Sequence, residues 1–260
     1  MRFGFVAKVI TALAILVVAF VILKVNFNRQ FDAIHDVIVG KQALPSKDVI
    51  PAFSAMTNVV EKKKAFFNFI RPGVVSANRV IALDRQYLLD LKSTFNASQP
   101  APTRYTALIK YYKLKSEHFN SDTIDRLLKR VDIIPQDLVM VQAANESGWG
   151  TSRFSRLGLN FFGQWCFKKG CGLVPSSRND NADHEVEVFK SVDASITSYL
   201  KNLNTHNAYR HLRDVRSSLR GNHEPVTAAK LAPGLTSYSE RGDDYVIELL
   251  QMLRQNKAYL

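Results

Sequence analysis

Cysteine is nearly absent from this chain: Cys166 and Cys171 are the only two in 260 residues, five positions apart in WCFKKGCG. A zinc site at this pair needs further ligands, and the nearest histidine, His184, stands alone. In an exported domain the pair reads as a disulfide closing a small loop, with free thiols or a metal site as the alternatives. Acidic residues are also in short supply, 23 against 35 lysines and arginines, for a formal net charge of +12. Such an excess suits nucleic acid, a membrane or an anionic polymer. The basic residues are scattered and no nucleic-acid-binding motif is present, so nucleic acid is not an expected partner. An anionic polymer or lipid surface remains, beside the plainer reading of a solvated surface. Internal repeats and low-complexity tracts are missing. So is a nucleophile to pair with His206 or His211, which read as surface or packing residues rather than catalysts.

What is present begins with a long apolar run. Phe3 to Val25 is interrupted only by Lys8, Thr11 and, next to its end, Lys24. At about 1.5 Å per residue it is long enough to cross a hydrocarbon core. No Ala-x-Ala site follows, so the expectation is an uncleaved transmembrane signal anchor over 1–25, with a buried soluble helix as the alternative. Residues 26–60, with Pro45 and Pro51, read as a juxtamembrane linker that tethers more than it packs. Residues 61–130 read as a helical extension. The pattern changes at Pro72-Gly73, and helical spacing returns in NRVIALDRQYLLDLKSTF, YTALIKYYKLK and TIDRLLKRV. Tyr105, Tyr111 and Tyr112 suit core packing or the lining of a cleft.

The most informative stretch is Asp137 to Trp149, DLVMVQAANESGW. Pro135 suits a helix start, Asp137 complements the positive end of the dipole, and Gly148 is a ready left-handed stop. The residues between are apolar on most faces, which predicts a buried helix. Glu146 then lies in the last turn, among unpaired carbonyls and near Trp149, Phe161, Phe162 and Trp165. Both influences favour the protonated carboxyl, the form that donates a proton to a leaving oxygen. By position alone, Glu146 reads first as an exposed residue at a fraying helix end.

AANESGWG (Ala143 to Gly150), Ser152, NFFG (Asn160 to Gly163), FKSVDASITSYL (Phe189 to Leu200) and LTSYSERGDDYV (Leu235 to Val246) occur in that order. Together they resemble the glucosaminidase family of peptidoglycan hydrolases, which is glycoside hydrolase family 73-like, over residues 131–257. The resemblance implies a mainly helical α+β fold, a lysozyme-like glucosaminidase domain with a small β-lobe. It implies an endo-β-N-acetylglucosaminidase acting on the GlcNAc–MurNAc backbone of peptidoglycan glycan strands, with Glu146 as general acid and no metal or cofactor; amidase activity is not expected. Tyr238 matches the family's cleft tyrosine, an implied catalytic residue whose hydroxyl holds substrate or water near the anomeric carbon, although Ser-Glu-Arg-Gly follows it where Ala-Thr-Asp is common. Trp149, Asn160, Phe161, Phe162, Gly163 and Trp165 are the implied substrate-binding residues. The segment 172–189 ends in an alternating strand pattern, with Val186, Val188 and Phe189 on it. Glu185 or Glu187 is a candidate second carboxylate there, Glu185 being preferred, with an ordinary solvated strand face as the alternative. Tyr245 reads as core or cleft.

The expected setting is the inner membrane, single-pass, with the catalytic domain in the periplasm. Two rival activities stand beside hydrolysis: a lytic transglycosylase using one acid/base glutamate, and a non-catalytic, envelope-anchored glycan-binding scaffold.

Overall fold

Asn58 starts the longest helix, α1 (Val59–Ser93), by accepting from the amides of Val60 and Glu61 at 2.9 and 3.2 Å. A computed structural model describes residues 50–116, 118–175 and 184–260 of the chain. The expected anchor at 1–25 and most of the expected linker lie outside these. Among the described residues no helix is long and apolar enough to cross a membrane.

The Pro72-Gly73 pair does not divide α1, which runs through it without interruption. Its buried face, Phe66, Phe67, Ile70, Gly73, Val74, Ala77, Ile81 and Leu88, recurs every three or four residues, the spacing of one helical stripe. Proline inside a helix removes a hydrogen bond, and packing makes that loss tolerable here. A Cβ on Gly73 would lie 2.4 Å from Asp193 Oδ1 and 2.6 Å from Ile196 Cδ1. The glycine is therefore a point of contact with the helix Val192–Thr205. Phe53, in the stretch expected to tether more than it packs, is 1% exposed and packs on Phe66 and Phe69.

The chain continues through α2 (Thr103–Tyr111), α3 (Ser121–Arg130), α4 (Gln136–Ser147) and α5 (Arg153–Gly158). Tyr105 and Tyr112 are buried, so two of the three tyrosines weighed for a cleft serve the core. A small sheet follows, with β1 (Trp165–Cys166), β2 (Gly172–Leu173) and β3 (Glu185–Glu187) in the order β1-β3-β2, antiparallel throughout. Trp165 pairs with Val186 and Gly172 with Glu187. The strand is shorter than the sequence pattern suggests: Val188 lies beyond it and is exposed. The last helices are α6 (Val192–Thr205), α7 (Arg210–Gly221), α8 (Ala228–Leu231) and α9 (Asp243–Gln255). The result is a mainly helical α+β fold in which α1 and α9 pack on α4, and α1 also packs on α6. One hydrophobic core gathers residues from α1, α4, α6 and α9, so 61–130 and 131–257 share it.

Basic side chains secure the entry to α4. Residues Val131 to Pro135 belong to no helix or sheet, yet Val131, Asp132 and Ile134 are buried, so their carbonyls need partners. Arg216, 1% exposed, donates to the carbonyls of Asp132 (3.0 Å), Ile133 (3.2 Å), Lys129 (3.1 Å) and Arg130 (3.3 Å). Arg85 donates to Leu128 and Val131 at 2.6 and 3.0 Å, and Asn78 to Ile134 at 2.8 Å. The Asp132 carboxylate takes a two-pronged bond from Arg220, 3.0 Å on each oxygen. Arg85 and Arg216 lie 3.5 and 3.8 Å from it.

Candidate active site

Helix α4 follows its sequence closely. Pro135 sits just outside its start, Asp137 lies in the first turn, and every residue from Leu138 to Ala144 is 0% exposed. Gly148 ends it in the left-handed conformation at φ 55° and ψ 47°. Trp149 and Gly150 also have positive φ, 58° and 77°, so three consecutive residues leave the right-handed helical conformation. Glycine adopts such angles freely, whereas a tryptophan needs support. Trp149 has it: Phe66 and Phe67 of α1 meet its ring edge-on at 5.6 and 5.2 Å, and Lys63 lies 5.3 Å from the ring centroid. Ser147 fastens the turn from inside, donating to Ala143 at 2.6 Å and accepting from the Gly150 amide at 2.8 Å. A Cβ on Gly150 would lie 2.4 Å from the ring of Phe53. The motif thus fixes a helix end, and the carboxylate one residue before that end is fixed with it.

Glu146 is part-buried, and its two oxygens have different surroundings. Oε1 accepts from the Tyr245 hydroxyl of α9 at 2.9 Å. Oε2 faces Gly163, where a Cβ would stand 3.5 Å away. Burial raises the carboxyl pKa above its ordinary value, the Tyr245 bond pulls it down, Glu248 pushes it up and Arg241 lowers it. Burial is the largest of these, in the direction the sequence implies. Tyr245 is in turn pushed well up, chiefly by its own burial and then by the Glu146 charge, so it is a neutral donor across the physiological range.

The other residues implied by the resemblance are held in distinct ways. Asn160 is 1% exposed and organises the loop: its amide donates to the carbonyls of Gln164 and Glu187, both at 2.9 Å, and its oxygen accepts from Phe162 and Gln164. Phe161 and Phe162 are buried, Phe161 against Phe66 and Phe69, Phe162 stacked on Tyr199 at 4.1 Å. These three shape the site from beneath, while Gly163 forms its surface beside Glu146. Ser195 of α6 ties the same loop down, accepting from the Phe161 amide at 3.4 Å through its hydroxyl and from Gln164 at 3.0 Å through its carbonyl. Tyr238 stacks on Tyr245 at 5.4 Å with planes 9° apart, and its hydroxyl donates to the Phe162 carbonyl at 2.7 Å. Trp165 is 54% exposed and stacks on His184 at 4.1 Å.

Glu185 holds the β-lobe together. Its carboxylate accepts from the amides of Gly170 (3.0 Å) and Gly172 (2.8 Å), and it is 6% exposed. The Gly170 amide belongs to the loop that Cys166 and Cys171 close as a disulfide, and the Gly172 amide follows it at the start of β2. Among the described residues, the group with metal-ligating atoms within reach of one another is Cys166, Cys171 and Glu185. Its sulfurs are joined to each other and its carboxylate is taken by two amides. Glu187 is half-buried, and burial raises its carboxyl pKa. Opening so short a ring is expected to release about 2 kcal/mol of chain-entropy stabilisation, confined to the lobe. Native protein is expected to give no thiol signal with a maleimide reagent, and reduction to increase proteolysis between residues 166 and 188 without lowering the main melting transition. Rapid labelling of both cysteines before reduction overturns that expectation.

Sequence reasoning left Tyr245 undecided between core and cleft, and did not single out Gln142. Gln142 carried a signal nonetheless: it is the one amide inside the apolar run of α4, and a buried amide demands partners.

Residues 121–258 match the Glucosaminidase family, described as mannosyl-glycoprotein endo-beta-N-acetylglucosaminidase. The chain is 36% identical over 200 residues to Protein bax of Escherichia coli (strain K12), covering 76% of this chain and 71% of that protein. No solved structure matches.

Proposed function

This chain belongs to the glucosaminidase family, and on that premise we propose that it is an endo-β-N-acetylglucosaminidase hydrolysing the GlcNAc–MurNAc backbone of peptidoglycan. The observation that carries the reading is Glu146 itself: a carboxyl at a rigid helix end, desolvated, with one oxygen held by Tyr245 and the other beside Gly163. Burial keeps it protonated to higher pH than an ordinary glutamate, as a general acid requires. Its proton passes to the glycosidic oxygen, the bond from that oxygen to the anomeric carbon breaks, and water supplies the new hydroxyl at that carbon. Tyr238, pinned to the Phe162 carbonyl and stacked on Tyr245, supports the wall of the site. Trp165 offers an exposed ring on which a sugar face can stack. Glu185 contributes through the shape of the β-lobe, and from there it or Glu187 is the carboxylate to test as the base that directs water. The envelope setting, with a periplasmic domain behind an inner-membrane anchor, rests on the apolar run Phe3–Val25 and the Cys166–Cys171 pair.

One observation favours a second reading, the lytic transglycosylase. Glu185 is occupied by two backbone amides, and a transglycosylase needs a single acid/base glutamate. Mass spectrometry of sacculi digested by the purified full chain separates the two. Products ending in reducing GlcNAc are expected. Products ending in an anhydro ring, lighter by one water, overturn hydrolysis in favour of transglycosylation.

A further inference from the structure

A single buried amide is joined to Glu146 through one tyrosine without touching it. Gln142 lies one turn before Glu146 on α4 and is 0% exposed. Its carbonyl oxygen accepts from the Tyr199 hydroxyl of α6. That fixes the other end of the amide as the donor, and Nε2 lies 3.0 Å from the Tyr245 hydroxyl oxygen. A phenolic hydroxyl has one hydrogen to give. With its oxygen already accepting from Gln142, Tyr245 directs that hydrogen to Glu146 Oε1. The chain of bonds therefore runs one way, from Tyr199 through Gln142 and Tyr245 to the carboxyl.

We infer that Gln142 is a positioning residue: by occupying the Tyr245 oxygen it stops Glu146 from donating to that tyrosine and reserves the transferable proton for Oε2, the oxygen beside Gly163. The inference rests on the reading of Glu146 as the acid. If the Gln142 bond is removed, a protonated Glu146 can donate its proton from Oε1 to the vacated tyrosine oxygen. The neutral carboxyl gains a partner, its pKa rises, and the proton points away from the substrate side. The groups that face Glu146 from the elements around it are Tyr245 and Glu248 of α9, Arg241 before α9, and Tyr199, Tyr209 and Tyr238. Arg241 and Glu248 pair with each other at 2.8 Å and oppose each other at Glu146. Tyr245 is thus the neighbour whose state Gln142 can set.

The test uses Gln142→Met and Tyr245→Phe in the detergent-solubilised full chain. Each is read by the pH profile of turnover, by KM, and by the Glu146 carboxyl pKa from ¹³C-glutamate NMR, assigned against Glu146→Gln. A general acid works below its pKa and fails above it, so a raised pKa moves the alkaline limb to higher pH. Gln142→Met is expected to raise the carboxyl pKa, shift that limb upward and lower turnover about tenfold with KM unchanged, the size of effect one net hydrogen bond supports. Tyr245→Phe keeps the ring stacked on Tyr238 and removes the bond that lowers the pKa, so it shifts the limb the same way. It serves as the test where Gln142→Met fails to fold. If Gln142→Met lowers the melting temperature while the carboxyl pKa and pH profile stay at wild-type values, Gln142 is only a core residue and the inference fails. A shifted pKa together with a fully active Glu146→Gln protein supports the bond network and instead refutes the acid reading.

Discussion

Glu146→Gln is expected to digest purified peptidoglycan about 10²- to 10⁴-fold more slowly than wild type, the range that general acid catalysis contributes. The substitution keeps the side chain's size and place. Tyr245 still has a carbonyl oxygen to donate to, in the position Oε1 holds now. Folding is therefore expected to change by no more than about 1 kcal/mol, far below the effect of a core truncation. Glycan binding should survive, because an amide beside Gly163 occupies the same volume as the carboxyl it replaces. What is lost is the transferable proton. The comparison needs purified substrate, matched circular dichroism spectra and a pull-down on sacculi. A folded variant retaining more than about a tenth of wild-type activity, well outside that range, removes Glu146 from the role of acid.

Asp132→Asn is expected to have the largest effect on stability, although it lies at the far end of α4 from the carboxyl. Asp132 is 2% exposed and meets Arg220 with both oxygens, with Arg85 and Arg216 close behind. Asparagine offers one neutral acceptor where three guanidiniums now share a charge, and it turns an N–H₂ group toward one of them. Arg216 is buried and would be left without its counter-charge. Breaking a buried pair from one side typically destabilises by about 3–5 kcal/mol, which for a domain of this size lowers the melting temperature by roughly 10 °C. Differential scanning calorimetry of the variant beside Arg220→Met separates the causes. Arg220 is partly exposed, so its loss should be milder. Equal and small shifts for both would mean that the carbonyl bonds of Arg216 hold the entry to α4 without help from Asp132.

The parts of the site that were legible in the sequence are those decided within a few residues. Gly148 as a left-handed stop, the buried run Leu138 to Ala144 and the carboxylate in the final turn all follow from local chemistry, and all are found in the fold. Helical periodicity and one short alternating stretch were legible in the same way, while the α+β class came from the family resemblance. What escaped depends on partners far along the chain. Tyr245 lies 99 positions from Glu146, and no periodicity tells a core tyrosine from one whose hydroxyl reaches a carboxyl. Pro72-Gly73 signals a break by local rules, yet the close approach of α6 turns the glycine into a contact point inside one helix. The alternation around Val186 placed Glu185 and Glu187 on one side of a strand. That two backbone amides, one inside the disulfide loop and one just after it, converge on Glu185 depends on loop geometry that spacing does not encode.

The arginines that secure the entry to α4 also change what a charge of +12 means. Arg85, Arg130, Arg213 and Arg216 each donate to main-chain oxygens, Arg130 to Tyr112, Lys113 and Thr205, and Arg213 to Leu203 and His206. These cations are fixed within hydrogen-bond distance of their partners, and mobile counterions have little access to them. Dissolved salt screens charges that face solvent over about 8 Å at physiological strength and leaves enclosed ones largely alone. The protein's response to ionic strength when it meets an anionic wall polymer is therefore set by its outward cations, Lys64, Lys168, Lys169 and Arg210 among them, and is weaker than its isoelectric point suggests.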